Sequence, residues 1–204
     1  MLESQFTNEE YFSQFIPERD NLLLELEKQA VDENIPIIGP VMGQLLSLLV
    51  LVTGSRRVLE LGTAIGYSGL YLARSFAHPD SELITVEHSA ERVLEAQQNF
   101  ETAGLTDKIS IETGKALDIM DALEPEFDLI FIDINKEAYL PALHKSASLL
   151  KQGGLLIADN TSFTGSKEFN DAIQKSQEWR SVQLYSFLPA HSPEHDGICL
   201  AVKV

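Results

Sequence analysis

Residues 58–68 read VLELGTAIGYS, and this stretch decides the fold. An apolar, strand-like run over residues 58–61 passes directly into a turn that contains Gly62 and Gly66, and helical patterning begins at Tyr67. In open α/β sheets, ligands bind where a strand gives way to a helix in this manner. Glycine has no Cβ, so the backbone of such a turn can come close to a ligand. The stretch therefore predicts a ligand-binding turn at the carboxyl edge of a sheet. Tight packing of the turn is the alternative explanation of the two glycines.

From residue 57 onward, apolar strand-like runs alternate with helical patterns. This alternation predicts right-handed crossovers and a parallel sheet with helices on both faces. Residues 182–188 and 198–204 are strand-like with no helix between them, so we expect them to pair antiparallel. The prediction is a Rossmann-like α/β fold whose mostly parallel seven-stranded sheet ends in an antiparallel hairpin. The other strands are expected at residues 58–61, 83–86, 109–111, 127–132 and 155–158, and the helices at residues 67–76, 90–103, 116–123, 136–150 and 167–178.

The N-terminal part of the chain has a different pattern. Leucines at residues 22–26 lie among charged residues, which is typical of an amphipathic helix. Pro36 ends this helix, because the residue before a proline is pushed out of the helical region. Pro40 opens a second helix over residues 41–52. We predict a helical lid or dimerisation segment at residues 1–55, followed by a cofactor-binding domain at residues 56–204.

The charge balance and the cysteine count restrict the partners and the compartment. The chain has 31 Asp and Glu against 15 Lys and Arg, a net charge of −16, which disfavours nucleic acid as a partner. No stretch approaches the roughly 20 apolar residues of a membrane helix, and the acidic, polar beginning does not resemble a secretory signal. Cys199 is the single cysteine, which excludes an internal disulfide. We therefore expect a cytoplasmic protein without nucleic-acid or membrane partners.

A carboxylate at the end of the second predicted strand indicates a nucleotide-type cofactor. Glu87 stands 25 residues after Gly62, and an acidic side chain there accepts hydrogen bonds from ribose hydroxyls. These features do not separate NAD from S-adenosylmethionine, although Ala64 breaks the dehydrogenase pattern G-x-G-x-x-G. Glu60 favours a cationic sulfonium over an anionic pyrophosphate. The alternative for Glu60 is that it only receives backbone donors from the glycine turn.

Oxygen-bearing side chains end two further strands of the predicted sheet. Asp133 and the pair Asp159-Asn160 are expected at the same carboxyl edge. Such a hard, all-oxygen set suits magnesium, calcium or manganese better than zinc, although strand-end Asp and Asn also cap helices and form turns. Lys136 is a candidate general base, because a neighbouring dication favours its neutral form. Its alternative is a surface salt bridge with Glu137 or Asp133.

These motifs resemble the cation-dependent, S-adenosylmethionine-dependent O-methyltransferases, which include catechol and caffeoyl-coenzyme A O-methyltransferases. The resemblance runs from about residue 35 to residue 204. It implies a class I methyltransferase fold, a homodimer, and methyl transfer to a hydroxyl of a catechol-like or other vicinal-oxygen small molecule, with a phenol as the favoured acceptor. The stretches that carry it are residues 37–43 (IIGPVMG), 58–68, 127–133 (FDLIFID), Lys136 with Tyr139, Asp159-Asn160 and Asp196-Gly197.

The resemblance also assigns roles to individual residues. It implies that Asp133, Asp159 and Asn160 hold the cation and that Lys136 is the catalytic base. Glu87 would bind the ribose. The remaining cofactor contacts that it implies are Met42 and Gly43, which would close over the cofactor, Glu60, Gly62, Thr63 and Ser68 near the methionine part, Ala116 at the adenine, and Asp133.

Three alternatives remain beside this interpretation. The first is a methyltransferase that needs no metal; residues 133–136 (DINK) lack the [DN]-P-P-Y motif of amine methylation. The second is a non-catalytic S-adenosylmethionine-binding protein of the same fold, and the third is an NAD-dependent oxidoreductase. Residues 188–195 are longer and richer in histidine than the family pattern. His191 and His195 are expected either to shape acceptor choice or to be ordinary loop residues.

Overall fold

The computed structural model describes residues 6–204. Within this range, the strands alternate with helices from residue 57 to the C-terminal hairpin. The strands are β1 (Arg57–Leu61), β2 (Glu82–Glu87), β3 (Ile109–Thr113), β4 (Phe127–Ile132), β5 (Leu150–Ala158), β6 (Trp179–Phe187) and β7 (His195–Lys203). The helices are α1 (Asn8–Phe12), α2 (Asn21–Glu33), α3 (Gly39–Thr53), α4 (Tyr67–Arg74), α5 (Ala90–Thr102), α6 (Ala116–Ala122), α7 (Tyr139–Leu149) and α8 (Lys167–Lys175).

The seven strands form one sheet in the order β3-β2-β1-β4-β5-β7-β6. The first five strands in that order pair in parallel, whereas β7 is antiparallel to both β5 and β6. Leu61 at the end of β1 is in register with Val86 of β2 and Ile132 of β4. The carboxyl ends of these strands therefore share one edge. The predicted fold class, including the C-terminal antiparallel hairpin, is confirmed.

Three element boundaries differ from the prediction. Strand β5 begins at Leu150, before the expected residue 155, because Leu150 already pairs with Phe127 of β4 and a register irregularity separates this pair from the pairs that begin at Leu155. The helix expected from residue 136 begins as a 3₁₀ turn, Lys136–Ala138, and becomes α-helical only at Tyr139. Helix α8 ends at Lys175 because β6 begins four residues later, at Trp179.

The turn after β1 needs its two glycines for packing within the protein. Gly62 has φ 102°, and a Cβ there would collide with the carbonyl oxygen of Asp133. Gly66 has φ 86°, and its Cβ would lie 2.7 Å from the ring of Phe100. At both positions a larger residue is disfavoured for two reasons: the backbone is left-handed, and a Cβ would collide with a neighbouring group. The close approach at Gly62 brings the end of β1 against the end of β4.

The N-terminal helices pack on the same core as the sheet. Buried residues of α2 and α3, such as Leu26 and Met42, lie in one apolar cluster with sheet residues such as Val58. The Tyr67 hydroxyl donates to Glu27 Oε1 at 2.7 Å, which ties α2 to α4. No helix between residues 6 and 204 combines the length and the apolar character needed to cross a membrane. The proposed division of the chain at residue 55 stays a prediction.

Candidate active site

A cavity of about 880 Å³ opens at the carboxyl edge of the parallel strands. Its wall contains the turn after β1 and residues that follow β2, β3, β4 and β5, as expected for an open α/β sheet. The predicted site residues that line it are Gly62, Glu87, Ala116, Asp133, Lys136, Asp159 and Asn160. Pro36, Ile37, Phe163 and His191 also line the cavity.

The other predicted cofactor residues lie behind this wall. Met42 and Gly43 are buried in α3, and a Cβ at Gly43 would meet the ring of Tyr71 at 2.5 Å. Glu60, Thr63 and Ser68 are also buried and are not part of the cavity lining. The N-terminal segment contributes Pro36 and Ile37 to the wall instead. The cofactor contacts assigned to Met42, Gly43, Glu60, Thr63 and Ser68 stay predictions.

Glu87 is held at the end of β2 by backbone donors. Its Oε2 accepts from the N–H of Ala64 at 3.0 Å, and its Oε1 accepts from the N–H groups of His88 and Ser89 at 2.9 Å each. The side chain is nearly buried and lines the cavity. The carboxylate is therefore fixed in position, and remaining lone pairs of its oxygens are available to a ligand.

Glu60 is a fully buried carboxyl group next to the turn. Its Oε2 accepts from the Thr85 hydroxyl at 2.6 Å, and the Thr85 hydroxyl lies 2.6 Å from that of Thr63. No partner among residues 6–204 hydrogen bonds to Oε1. Burial, with the neighbouring carboxylates of Asp133 and Glu87, raises the pKa of Glu60 to about 7. A group with this pKa carries a proton much more often than an ordinary glutamate at neutral pH.

Two of the three predicted cation ligands contact the amine of Lys136. Lys136 Nζ donates to Asn160 Oδ1 at 2.6 Å, to the Tyr139 hydroxyl at 3.0 Å and to Asp133 Oδ1 at 3.2 Å. Burial and the nearby Asp159 carboxylate raise the pKa of Asp133. The structure thus brings Asp133, Lys136 and Asn160 into contact, and the roles assigned to them stay predictions.

Asp159 lies beside this cluster, and its two carboxylate oxygens differ in their hydrogen bonding. His191 Nε2 lies 2.7 Å from Asp159 Oδ2. Asp159 Oδ1 is buried and has no hydrogen-bond partner in the described part of the chain. A buried carboxylate oxygen without a partner is costly. Asp159 lines the cavity together with Asp133 and Asn160.

The donor set fits a hard divalent cation. No group of three His, Cys, Asp or Glu side chains within residues 6–204 could hold a metal ion; the predicted set contains two carboxylates and one amide. All its donors are oxygens, one of them is unpaired, and the Lys136 ammonium already stands as a cation between the other two. These are the ligand types that magnesium, calcium and manganese prefer.

Sequence reasoning missed two contacts made by Asn160 and Asp159. Asn160 Nδ2 donates to Asp196 Oδ2 at 2.6 Å, and His191 contacts Asp159 as described above. Both partners lie more than 30 residues away along the chain. The sequence marked Asp196 only through its family resemblance, and it left His191 without an assigned role. Nothing in the local pattern predicts that the β6–β7 connection folds back onto the end of β5.

Comparisons with known proteins agree with this geometry. The sequence profile described as "O-methyltransferase" matches residues 14–192. A catechol O-methyltransferase of Niastella koreensis is 36% identical over 156 residues, which cover 74% of this chain and 70% of that protein. The catechol O-methyltransferase of Mus musculus is 31% identical over 158 residues, covering 74% of this chain and 59% of that protein.

A solved structure agrees over nearly the whole chain. The O-methyltransferase from Bacillus cereus in complex with SAH has a TM-score of 0.86 and 28% identity, and the match covers 96% of each chain. The chain therefore belongs to the O-methyltransferase family and is an S-adenosylmethionine-dependent O-methyltransferase of the catechol O-methyltransferase type. The resemblance, the fold class and the enzyme class predicted from the sequence are confirmed.

Proposed function

We propose that this enzyme transfers the methyl group of S-adenosylmethionine to one hydroxyl of a small phenolic molecule with two adjacent oxygens, and that it uses a divalent cation. One observation carries the proposal. The side-chain oxygens of Asp133 and Asn160 meet at the Lys136 ammonium, beside the unpaired oxygen of Asp159. A catechol is the simplest acceptor whose two oxygens match such a site.

The proposed cation ligands are Asp133, Asp159 and Asn160. Magnesium is the first choice because it is bound by few protein oxygens and leaves positions for substrate, with calcium or manganese as alternatives. When bound, a divalent cation lowers the pKa of a hydroxyl that it coordinates. This property would make the acceptor oxygen a competent nucleophile at neutral pH.

Lys136 is proposed as the base that removes the hydroxyl proton. In the described structure its amine balances the charge of Asp133 and bonds the amide oxygen of Asn160. Beside a dication the neutral amine is favoured over the ammonium, because like charges repel. The neutral Nζ would then accept the proton at hydrogen-bond distance. The Tyr139 hydroxyl, 3.0 Å away, holds Nζ in this position.

Glu87 and the apolar wall are proposed to align the two reactants. Glu87, fixed by three backbone donors, would hold the ribose at one end of the cavity. Ile37 and Phe163 would exclude water around the acceptor at the other end. Alignment of a nucleophile with its target at about 3 Å supplies a large part of the rate enhancement of such transfers.

The proposal includes three further properties. The segment of residues 1–55 acts as a lid over the site, which the placement of Pro36 and Ile37 in the cavity wall supports. The enzyme is a homodimer, with the exposed aromatic rings of α1 and the following turn, Phe12 and Phe15 among them, as candidate contacts. It is a cytoplasmic enzyme, consistent with a single, buried cysteine.

A second candidate is methyl transfer without a metal. The contact of Lys136 Nζ with Asn160 Oδ1 at 2.6 Å favours it, because the ammonium already occupies the oxygens that a cation would need. In this alternative Lys136 would act as a permanent cation beside the acceptor oxygen. The unpaired oxygen of Asp159 is left unexplained by this alternative, and we therefore prefer the cation-dependent enzyme.

The experiment that separates the two candidates measures methyl transfer from labelled S-adenosylmethionine to catechol. The enzyme is stripped with EDTA and assayed before and after addition of Mg²⁺. We expect activity to disappear on chelation and to return with the ion. Full activity after exhaustive chelation would establish the metal-free alternative. Absence of transfer to any phenol with either treatment would contradict the acceptor class.

A further inference from the structure

The side-chain amide of Asn160 is held from two opposite sides. Its Nδ2 donates to Asp196 Oδ2 at 2.6 Å, and its Oδ1 accepts from Lys136 Nζ at 2.6 Å. Asp196 is completely buried, and Asn160 is nearly so. The orientation of the amide is therefore set by the two groups that face it.

Asp196 accepts a hydrogen bond from Asn160 through one oxygen and is held through the other. Its Oδ1 receives the N–H of Gly197 at 2.6 Å and also contacts the Ser162 hydroxyl, while its Oδ2 faces Asn160. The amide nitrogen of Asn160 therefore faces Asp196, and the amide oxygen faces the Lys136 amine in the cavity wall.

The backbone of Asn160 is fixed as firmly as its side chain. The residue has φ 49° in the left-handed region, where asparagine is tolerated better than most residues. Its carbonyl oxygen accepts from the Ser166 hydroxyl at 3.1 Å and from the Phe163 N–H at 3.3 Å. With the backbone clamped, only rotation of the amide group could exchange the oxygen for the nitrogen.

We infer that Asp196 is a positioning residue that fixes the amide of Asn160 so that its oxygen, and not its nitrogen, faces the cation site. The inference rests on the proposed cation dependence. It gives the beginning of β7 a role in the site, although Asp196 is not part of the cavity lining. Outer partners that orient a ligand typically change metal affinity by 10- to 100-fold when they are removed.

The substitution Asp196→Asn tests this orientation with almost no change in shape. The amide that it introduces is expected to keep its carbonyl oxygen toward the Gly197 N–H and to present its NH₂ group to Asn160. Two NH₂ groups then meet, and the Asn160 amide rotates so that its own nitrogen faces the cation site. We expect the affinity for Mn²⁺, measured by calorimetry on the cofactor-free protein, to fall at least tenfold.

The double variant Asn160→Asp with Asp196→Asn exchanges the carboxylate and the amide. The amide now at position 196 can donate its NH₂ group to one oxygen of the carboxylate now at position 160, while the other carboxylate oxygen faces the cation. We expect Mn²⁺ affinity to return at least to the wild-type value. A merely structural role of Asp196 does not predict this rescue. The thermal midpoint of each variant without metal records any loss of folding stability separately.

The outcomes separate this inference from the proposed function. Loss of Mn²⁺ binding in Asp196→Asn with recovery in the double variant supports the inference. Unchanged binding in Asp196→Asn, or loss without recovery in a folded double variant, overturns it and leaves the cation-dependent enzyme intact. If Asp196→Asn does not fold, the folded double variant is measured alone. Mn²⁺ binding at the wild-type affinity then supports the inference, and weaker binding overturns it. Absence of Mn²⁺ binding in the wild-type protein contradicts the proposed cation, and the inference with it.

Discussion

His191 Nε2 lies 2.7 Å from Asp159 Oδ2, and both side chains are about 1% exposed. The other ring nitrogen, Nδ1, lies 2.6 Å from the carbonyl oxygen of Pro193. Because a carbonyl and a carboxylate both accept, the ring satisfies both contacts only when both nitrogens carry protons. Burial alone lowers the pKa of His191, but the hydrogen bond and charge of Asp159 outweigh it, so the pKa is raised. His191 thus holds one oxygen of Asp159, and the other has no hydrogen-bond partner within residues 6–204.

The contact predicts a role for His191 in holding Asp159 for the cation. Replacement His191→Leu removes the donor to Oδ2, and we expect Mn²⁺ affinity to fall about 10- to 100-fold. His191→Gln is the matched control, because its amide N–H can reach the same oxygen, and it should retain most of the affinity. Equal Mn²⁺ affinity in wild type and His191→Leu, measured by calorimetry, would show that Asp159 needs no such support.

Lys136→Met tests the proposed base. We expect kcat to fall about 10²- to 10⁴-fold, the usual contribution of a positioned base. Mn²⁺ should bind the variant at least as tightly as wild type, since the ammonium that shares the oxygens of Asp133 and Asn160 is gone. Lys136→Arg keeps the charge without a usable base and should be similarly inactive. A nearly normal kcat in Lys136→Arg would instead indicate an electrostatic role.

Glu87→Gln tests the cofactor end of the cavity. A carboxylate that binds the ribose hydroxyls contributes roughly 1.5–3 kcal/mol through charged hydrogen bonds. We therefore expect the Kd for S-adenosylhomocysteine to rise about 10- to 100-fold in calorimetry. Glu91→Gln, an exposed carboxylate four residues along the chain, should leave the Kd unchanged. An unaltered Kd in Glu87→Gln would place the ribose elsewhere.

Glu60 predicts a pH dependence of stability. Its pKa is about 7 in the folded chain against 4.5 for an ordinary glutamate, so the folded state binds the proton more tightly. The contribution of Glu60 to the free energy of unfolding is fully present below about pH 4.5. It is lost as the pH rises toward 7, and the total loss is roughly 3 kcal/mol. Glu60→Gln should remove that loss, so that urea unfolding at pH 8 shows a more stable apo variant.

The control for this experiment is Glu112→Gln, which changes an exposed carboxylate on β3. We expect its unfolding free energy to follow the wild-type pH profile. If Glu60→Gln also followed that profile between pH 5 and pH 8, Glu60 would be ionised in the folded protein like an ordinary glutamate.

The sequence predicted those parts of the fold and site that local pattern controls. Strand β4 was predicted at its observed boundaries because nearly all its side chains are buried, which requires a continuous apolar run. The convergence of Asp133 with Asp159 and Asn160 followed from strand ends at one edge of a parallel sheet. The beginning of β5 was not predicted, because the polar residues Lys151 and Gln152 interrupt the apolar pattern after Leu150.

The supporting contacts could not be predicted for a different reason. The contact of His191 with Asp159 depends on how the irregular connection between β6 and β7 folds over the end of β5, and the contact of Asp196 with Asn160 depends on the pairing of β7 with β5. No periodicity sets that path. The positions of Met42 and Gly43 likewise depend on how α3 packs against α4, which turned them toward the core.

The central claim is that a divalent cation binds between the ends of β4 and β5. The most direct test is a crystal of the enzyme with Mn²⁺ and S-adenosylhomocysteine, measured for anomalous scattering. We predict a manganese peak within about 2.3 Å of oxygens from Asp133, Asp159 and Asn160, with Lys136 Nζ moved off those oxygens. A map without a peak there, with Lys136 still bonded to Asn160, would contradict it.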